Sequence, residues 1–252
     1  MAKEKQLSAR QRVRKGLLLV SLLALPVTLY YFSPYLIIAS AAEGVINASA
    51  IAFGLMFLSA LFVGRLWCGW ACPAGALQEY AAPINNHRTG PRLNWGKWIV
   101  WVPWMAIILF LLVRAGGMPR VEPFHMFEGG VTLTQEYWYA MYYIVITVLL
   151  LLAVVLGRRA ACHSICWMAP FMILGRKLRN LVGWPALGLK AERDKCIDCG
   201  LCTAQCTMSL DVNRMVKDNR MEHSECVLCG NCVDVCPKDA LHLSFQSGKL
   251  QS

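Results

Sequence analysis

The chain has 252 residues, of which 57% are hydrophobic and only 16% are charged, and its formal net charge is +10. Its mean hydropathy of +0.45 excludes an ordinary soluble globular domain. The Lys and Arg residues are spread between apolar blocks and at the two ends of the chain, so no nucleic-acid partner is expected.

Four stretches without a charged residue dominate the first two thirds of the chain: residues 16 to 42, 44 to 64, 98 to 113 and 137 to 157. Each approaches the ~20 residues that cross a bilayer, which predicts four transmembrane helices. The third stretch is the shortest, so we expect Lys97 and Arg114 at its ends to snorkel to the membrane surface. The first resembles a signal peptide, but its apolar run is too long for one and predicts a retained membrane anchor.

The basic residues predict the topology of these spans. There are 6 Lys and Arg residues before the first span and 13 after the fourth span. The connections hold 0 between the first and second spans, 4 between the second and third, and 2 between the third and fourth. By the positive-inside rule, both termini and the middle loop lie in the cytoplasm. We therefore expect an all-α membrane domain in a bacterial cytoplasmic (inner) membrane.

Two similar motifs follow the second and fourth spans: RLWCGWAC from Arg65 to Cys72, and RAACHSIC from Arg159 to Cys166. The repetition predicts a duplicated hairpin whose halves are related by an axis along the membrane normal, which brings both motifs to the cytoplasmic face. The C-x3-C spacing would place both sulfurs of a pair on one face of a helix. Glycines and prolines predict a shaped, re-entrant segment around the motifs (Gly69, Pro73, Gly75, Pro170, Gly175).

The chemistry of these four cysteines stays open at this stage. Cys68, Cys72, Cys162 and Cys166 could bind an iron–sulfur cluster or a soft metal ion such as copper(I) or zinc. They could also form redox-active dithiols, or be buried and inert.

The remaining eight cysteines spell C-x2-C-x2-C-x3-C twice near the C-terminus. This is the ligand pattern of two 4Fe-4S cubanes, in which the fourth cysteine of each run crosses to the other cluster. It assigns Cys196, Cys199, Cys202 and Cys236 to the first cubane, and Cys226, Cys229, Cys232 and Cys206 to the second. A zinc ribbon does not explain the third cysteine of each run, and disulfides between cysteines so close in sequence would be strained. Thr207 stands where Pro237 completes the second run, and this removes no ligand.

The expected organisation has three parts. Residues 1 to 15 form a basic cytoplasmic arm, residues 16 to 190 the four-helix membrane domain, and residues 191 to 252 a small α+β two-cluster ferredoxin-like domain facing the cytoplasm. The last part is too small to bury much of a core, so it should depend on its clusters and unfold without iron.

GRLWCGWACPAG from Gly64 to Gly75, the second C-x3-C and the C-terminal two-cubane run together resemble the NapH/NosR/CcoG-like family of polyferredoxin membrane proteins. The resemblance covers roughly residues 10 to 245. It implies electron transfer between the quinol pool or cytoplasmic donors and a partner protein. The second motif departs from the family pattern, since Trp167 follows Cys166 where proline is usual and Pro170 comes later.

The function favoured is a membrane-anchored iron–sulfur electron-transfer subunit that relays electrons between a cytoplasmic carrier or partner oxidoreductase and a membrane site, such as quinone. A copper-reducing assembly factor that uses the C-x3-C thiols and a cluster-bearing redox sensor are the alternatives. An outer loop could bind and deprotonate a quinol, or it could simply be solvated (Arg120, Glu122, His125, Glu128, Glu136).

Overall fold

The computed structural model describes residues 8 to 117, 120 to 126 and 136 to 247, and most of their regular structure is helical. The helices are α1 (Ala9–Leu23), α2 (Leu25–Tyr31), α3 (Pro34–Ala42), α4 (Ala48–Val63), α5 (Leu66–Trp70), α6 (Pro73–Ala81), α7 (Gly96–Arg114), α8 (Glu136–Leu156), α9 (Ala160–Ser164), α10 (Ala169–Val182), α11 (Leu201–Ala204), α12 (Val212–Lys217) and α13 (Asn231–Asp234). The strands are β1 (Val45–Ile46), β2 (Arg120–Val121), β3 (Ala186–Ala191) and β4 (Leu241–Gln246).

The first predicted span is divided into α1, α2 and α3. Helix α1 ends at Leu23, and α2 starts after Ala24 with a proline in its first turn. Helix α3 starts at Pro34, and the hydroxyl of Ser33 caps it by accepting a hydrogen bond from the amide of Leu36 at 3.4 Å. Proline favours the first turn of a helix and weakens its interior, so Pro26 and Pro34 favour new helix starts, although α7 accommodates Pro103 in its interior. The predicted basic arm also has no separate structure from residue 9 onward, because α1 runs through the boundary at residue 15.

Three segments of the described chain are long and apolar enough to cross a membrane: Leu25–Ala42, Pro91–Arg114 and Tyr139–Leu156. Helix α4, which corresponds to the predicted second span, is apolar but has only 16 residues. The duplicated four-helix hairpin and the orientation of its ends therefore stay predictions.

The packing of α10 against α4 brings the second motif close to the first. A Cβ atom at Gly175 would lie 2.6 Å from the carbonyl oxygen of Phe57, so only glycine permits this approach. The aromatic rings of Phe53, Trp104 and Phe171 fill the space beside it, with centroids 5.2 to 6.0 Å apart. The membrane part thus has a close-packed core near the cysteine motifs.

A two-stranded antiparallel sheet closes the C-terminal unit. Strand β3 pairs with β4 over six residues, from Ala186 opposite Gln246 to Ala191 opposite Leu241. Both runs of cysteines lie between these strands in sequence. Since β3 starts at Ala186, the sheet of the cluster unit begins on the membrane side of the predicted domain boundary at residue 191. Strands β1 and β2 form a short parallel pair elsewhere.

Candidate iron–sulfur sites

The two C-terminal runs fold alike, residue for residue. Each has a left-handed residue before its second cysteine, Asp198 or Leu228, and a left-handed glycine after it. A one-turn helix then carries the third cysteine, in α11 and α13. The fourth cysteine accepts a hydrogen bond at its Sγ from the amide four residues later, Leu210 at 3.4 Å and Ala240 at 3.3 Å. Alternating left-handed residues turn backbone N–H groups toward one side, which suits an anionic ligand.

The structure brings together the four cysteines that the sequence assigns to the second cubane, three from the second run and the last from the first run. Cys206, Cys226, Cys229 and Cys232 line a single small apolar cavity of about 20 Å³. Burial raises the pKa of Cys206 to about 11 and that of Cys226 to about 12. Without a metal these thiols are protonated at neutral pH, so binding a cluster must displace their protons.

The cysteines assigned to the other cubane lie nearer the surface. Cys199 is exposed, while Cys196, Cys202 and Cys236 are half-buried. Beside Cys199, the side chains of Ile197 and Leu201 are exposed as well. This site is therefore the more accessible of the two to a soluble protein.

The membrane motifs share a local structure that differs from the expected one. Helices α5 and α9 each have five residues, with Cys68 or Cys162 at the third position, and both end before the second cysteine. Cys72 is extended, with φ −78° and ψ 117°, because the residue before a proline avoids the helical region. The prediction that each pair lies on one helical face is thus wrong.

A proline begins the next helix after each motif. Pro73 follows Cys72 directly and starts α6, whereas Pro170 lies in the first turn of α10. With Trp167 after Cys166, the second helix starts two residues later than the first relative to its motif, and its proline, which comes three residues later, still lies in the first turn.

All four motif cysteines nevertheless meet. Cys68, Cys72, Cys162 and Cys166 line one cavity of about 50 Å³, whose other walls are almost entirely apolar. The first three are buried, with exposed fractions of 5 to 8%. Gln78 donates a hydrogen bond from Nε2 to Cys162 Sγ at 3.3 Å, and the Sδ atom of Met172 lies 3.5 Å from Cys68 Sγ.

The lining of this cavity offers hydrogen-bond donors that have no partner among the described residues. They are Nε of Arg65 and Nε1 of Trp167, and Nε1 of Trp67 beside Cys68 is also unpartnered. A buried donor without an acceptor is costly. Four thiols and free donors suit an anionic group with sulfur acceptors, which describes an iron–sulfur cluster.

Each motif begins with a buried arginine that ties it to another part of the molecule. Nη1 of Arg65 donates to Glu225 Oε2 at 2.7 Å, in the cluster unit next to Cys226. Lys97 donates from Nζ to both oxygens of Glu225, at 2.6 and 2.7 Å. Because Lys97 is 0% exposed, the expectation that it snorkels is wrong, although Arg114 is exposed. Burial raises the pKa of Glu225, but Arg65 and Lys97 outweigh it, so the net shift is downward and the carboxylate is ionised.

The second arginine joins a matching ion cluster. Arg159 donates to the carbonyl of Cys68 and to Glu79 Oε2, both at 2.7 Å. The fully buried Arg14 of α1 also pairs with Glu79. Burial raises the pKa of Glu79, yet Arg159 and Arg14 hold it at about 2. The carboxylate therefore stays charged between its two arginines.

Comparisons with known proteins agree with these sites. A family model described as a 4Fe-4S binding domain matches residues 47–91 and 137–185, and one described as a 4Fe-4S dicluster domain matches residues 190–241. The regulatory protein NosR of Stutzerimonas stutzeri is 28% identical over 190 residues, which cover 69% of this chain and 24% of NosR. NirI of Paracoccus denitrificans is 28% identical over 197 residues, which cover 73% of this chain and 26% of NirI. RdxA of Cereibacter sphaeroides is 27% identical over 206 residues, which cover 72% of this chain and 42% of RdxA.

The chain belongs to the NosR/NapH-like membrane ferredoxin family. This is a family of iron–sulfur electron-transfer proteins, and iron–sulfur clusters are the cofactors that its matched domains bind. The chain spans about a quarter of the length of the NosR proteins that it matches. No solved structure matches it.

In this member of the family, no three His, Cys, Asp or Glu side chains within the described ranges converge enough to hold a single metal ion. A cubane makes a different demand, since its four thiolates bind four separate irons.

The outer-loop residues are only partly in view. His125 Nε2 lies 3.1 Å from Glu43 Oε2, and its Nδ1 lies 3.5 Å from Glu122. Glu128 and the side chain of Glu136 lie outside the described residues. The quinol site predicted there stays a prediction.

Sequence reasoning missed several residues that contact the sites. Thr207, noted only as a missing proline, places its Oγ1 3.4 Å from Cys229 Sγ. Gln78 carries no sequence signal, and neither does Gln11, whose Nε2 donates to the carbonyl of Cys229 at 3.0 Å, because a single amide side chain is common in any chain. Arg65 and Arg159 could have been found, since both stand three residues before a C-x3-C pair.

Proposed function

We propose that this protein is a membrane-anchored electron-transfer subunit that passes single electrons between a cytoplasmic carrier and a site in the membrane. The two C-terminal runs together hold two cubanes, each with three ligands from one run and its fourth from the other. The four motif cysteines hold a third iron–sulfur cluster. The observation that carries the proposal is that Cys68, Cys72, Cys162 and Cys166, which come from motifs 94 residues apart, line one apolar cavity.

The residues of this cavity are suited to hold such a cluster. A bound cluster supplies reversible one-electron chemistry. The four thiolates hold it, Arg65 and Trp167 offer hydrogen bonds to its sulfurs, and the apolar walls exclude water. Hydrogen bonds and burial of this kind set the reduction potential of a cluster. The 4Fe-4S binding domain matches support the assignment, because residues 47–91 and 137–185 each contain one motif.

The surface at Cys199 suits the exchange of electrons with a soluble partner. Cys199 is exposed between Ile197 and Leu201, which are 56% and 40% exposed. A small apolar patch around an exposed ligand is compatible with the small, short-lived interfaces of electron-transfer encounters. We place this surface in the cytoplasm of a bacterial cell, as the distribution of basic residues predicts.

On the membrane side, the proposed acceptor or donor is quinone. Residues of α2, with Phe32 directly after it, form one wall of the four-cysteine cavity, and they belong to the candidate span Leu25–Ala42 (Leu25, Thr28, Leu29, Phe32). The walls of this cavity are almost entirely apolar, which suits the approach of a hydrophobic ligand such as quinone. A bound cluster would occupy part of this space, so quinone would approach from the α2 side.

A crossed pair of variants tests the proposal. The full chain is purified anaerobically, reduced with dithionite and examined by low-temperature EPR with spin quantitation. We expect Cys68→Ser to remove the signal of the membrane site and leave both cubane signals. We expect Cys199→Ser to remove or alter the signal of the first cubane and leave the signals of the second cubane and the membrane site. If Cys68→Ser changes neither the spectrum nor the iron content, no cluster is held by the motifs.

A second candidate function is favoured by the thioether of Met172, 3.5 Å from Cys68 Sγ. Thiolates and thioethers prefer copper(I), so the cavity could receive copper that the cubanes reduce for a partner protein. Stoichiometric copper in the protein as isolated, lost in the Cys68→Ser variant, would select this function over the relay.

A further inference from the structure

The loop of the second cysteine run rests directly on the first membrane motif. A Cβ atom at Gly69 would lie 2.2 Å from the carbonyl oxygen of Val227 and 3.5 Å from Cα of Cys229. Beside this contact, Nε1 of Trp70 donates a hydrogen bond to the carbonyl of Leu228 at 3.1 Å. The backbone between two proposed ligands of one cluster therefore touches the backbone between two proposed ligands of another.

Only glycine permits this approach. The atoms that a Cβ would meet belong to the backbone, which cannot rotate away as a long side chain can. Gly69 lies in α5, where glycine is a poor helix former and has no local advantage. The close contact between the two loops, rather than the conformation of the helix, accounts for glycine at this position.

Helix α1 holds both sides of the contact. Nε2 of Gln11 donates to the carbonyl of Cys229 at 3.0 Å, and Nη1 of Arg14 donates to the carbonyl of Gly69 at 3.1 Å. Arg14 also donates from Nε to Gln11 Oε1 at 2.7 Å, and both side chains are less than 5% exposed. These buried, mutually bonded groups fix the separation of the two loops.

We propose that the contact between Gly69 and Val227 is the junction through which electrons pass between the second cubane and the four-cysteine site. One electron leaves the centre held by Cys206, Cys226, Cys229 and Cys232, which is oxidised by one unit, and enters the centre held by the motif cysteines, which is reduced by one unit. No bond is formed or broken and no proton is required. Gly69 acts as a positioning residue, and this inference rests on the proposed third cluster.

The physical reason for such a contact is distance. The rate of electron tunnelling falls exponentially as the distance between two centres increases. It also falls when the path between them crosses empty space rather than bonded atoms or atoms in van der Waals contact. The first run meets the membrane part through a long side chain instead, since Nη1 of Arg158 donates to the carbonyls of Ala204 and Cys206 at 2.6 and 3.3 Å. The order of transfer is therefore from the cytoplasmic surface to the first cubane, then to the second cubane, and then across the Gly69 contact, or the reverse.

The test compares Gly69→Ala with Gly54→Ala in the full chain. Gly54 is the matched control, since a Cβ there would meet no atom within 4 Å. Each anaerobic protein is mixed with a reduced low-potential one-electron donor, such as methyl viologen, and frozen at increasing times for EPR. Iron and acid-labile sulfide are measured on the same samples.

We expect Gly69→Ala to keep its full iron content and the wild-type rate of cubane reduction, but to lose the early signal of the membrane site. Gly54→Ala should behave as the wild type. A Gly69→Ala protein with full iron and an undelayed membrane-site signal would overturn the junction. If Gly69→Ala loses iron, the Trp70→Phe variant tests the junction instead, because it removes the hydrogen bond to the carbonyl of Leu228 without adding atoms. It should delay the signal of the membrane site, and an undelayed signal would overturn the junction. Wild-type protein without a third centre would instead overturn the proposed function itself.

Discussion

Replacing Glu225 with glutamine should strongly destabilise the association of the cluster unit with the membrane part. Glu225 is 4% exposed and is the shared acceptor of Arg65 and Lys97, which are 2% and 0% exposed. Glutamine keeps the shape but leaves two buried positive charges without a counter-ion. Breaking a buried ion pair by removing one partner costs about 3–5 kcal/mol. For a chain of this size, that corresponds to a melting temperature lowered by roughly 10 °C.

The assay is a thermal melt of the anaerobic, detergent-solubilised protein, followed by tryptophan fluorescence. Iron content is measured first, because Glu225 is adjacent to Cys226 and lost iron would itself lower the melting temperature. Glu192→Gln is the control, since Glu192 and its partner Lys195 are exposed and surface pairs contribute little. It should melt as the wild type does.

A double variant separates charge burial from other effects. Adding Lys97→Met to Glu225→Gln removes one of the two stranded charges, so the double variant should melt at a higher temperature than Glu225→Gln alone. The reasoning is refuted if Glu225→Gln, with full iron, melts like the wild type, or if Lys97→Met lowers its melting temperature further.

Two further predictions concern the clusters. Thr207→Val should lower the reduction potential of the second cubane, because it removes the hydroxyl 3.4 Å from Cys229 Sγ and hydrogen bonds to sulfur raise the potential. An EPR redox titration measures this, with the other cubane in the same molecule as the internal reference; equal shifts of both, or none, would contradict it. Removal of iron by a chelator should unfold the unit between β3 and β4, whose helices have only four to six residues, while α4 stays folded. Limited proteolysis should then cut within residues 192 to 240, and resistance of this region in the apoprotein would contradict the prediction.

Iron–sulfur binding could be predicted from the sequence more fully than the architecture, while the ligand set of each cluster stays a prediction. The spacing of the runs reflects a local requirement of cubane ligation, so it is readable without tertiary information. The repeated motif predicts that Cys68 and Cys162 lie close together. It does not predict how the two cysteines of one motif come to line the same cavity, because the helix ends before the second cysteine and the i, i+4 geometry does not apply. Pro73 was visible in the sequence, but its consequence, an extended Cys72 that ends the helix, was overlooked.

The buried charges could not be predicted from composition. Arg14, Arg65 and Lys97 were counted as topological charges at the ends of apolar stretches, and such residues normally face water or lipid headgroups. Their partners Glu79 and Glu225 lie 65, 160 and 128 residues away, so no local pattern connects them. The same holds for Gly69, because the atoms that exclude a side chain there belong to a loop more than 150 residues later.

The most direct test of the central claim is the iron and acid-labile sulfide content of the anaerobically purified full chain. A third cluster in the four-cysteine cavity predicts roughly 12 irons and 12 sulfides per chain, four for each of three clusters, and a third EPR signal after reduction. A content of roughly 8 irons, unchanged in the Cys68→Ser variant, would mean that the runs hold two cubanes and the motif cysteines hold none.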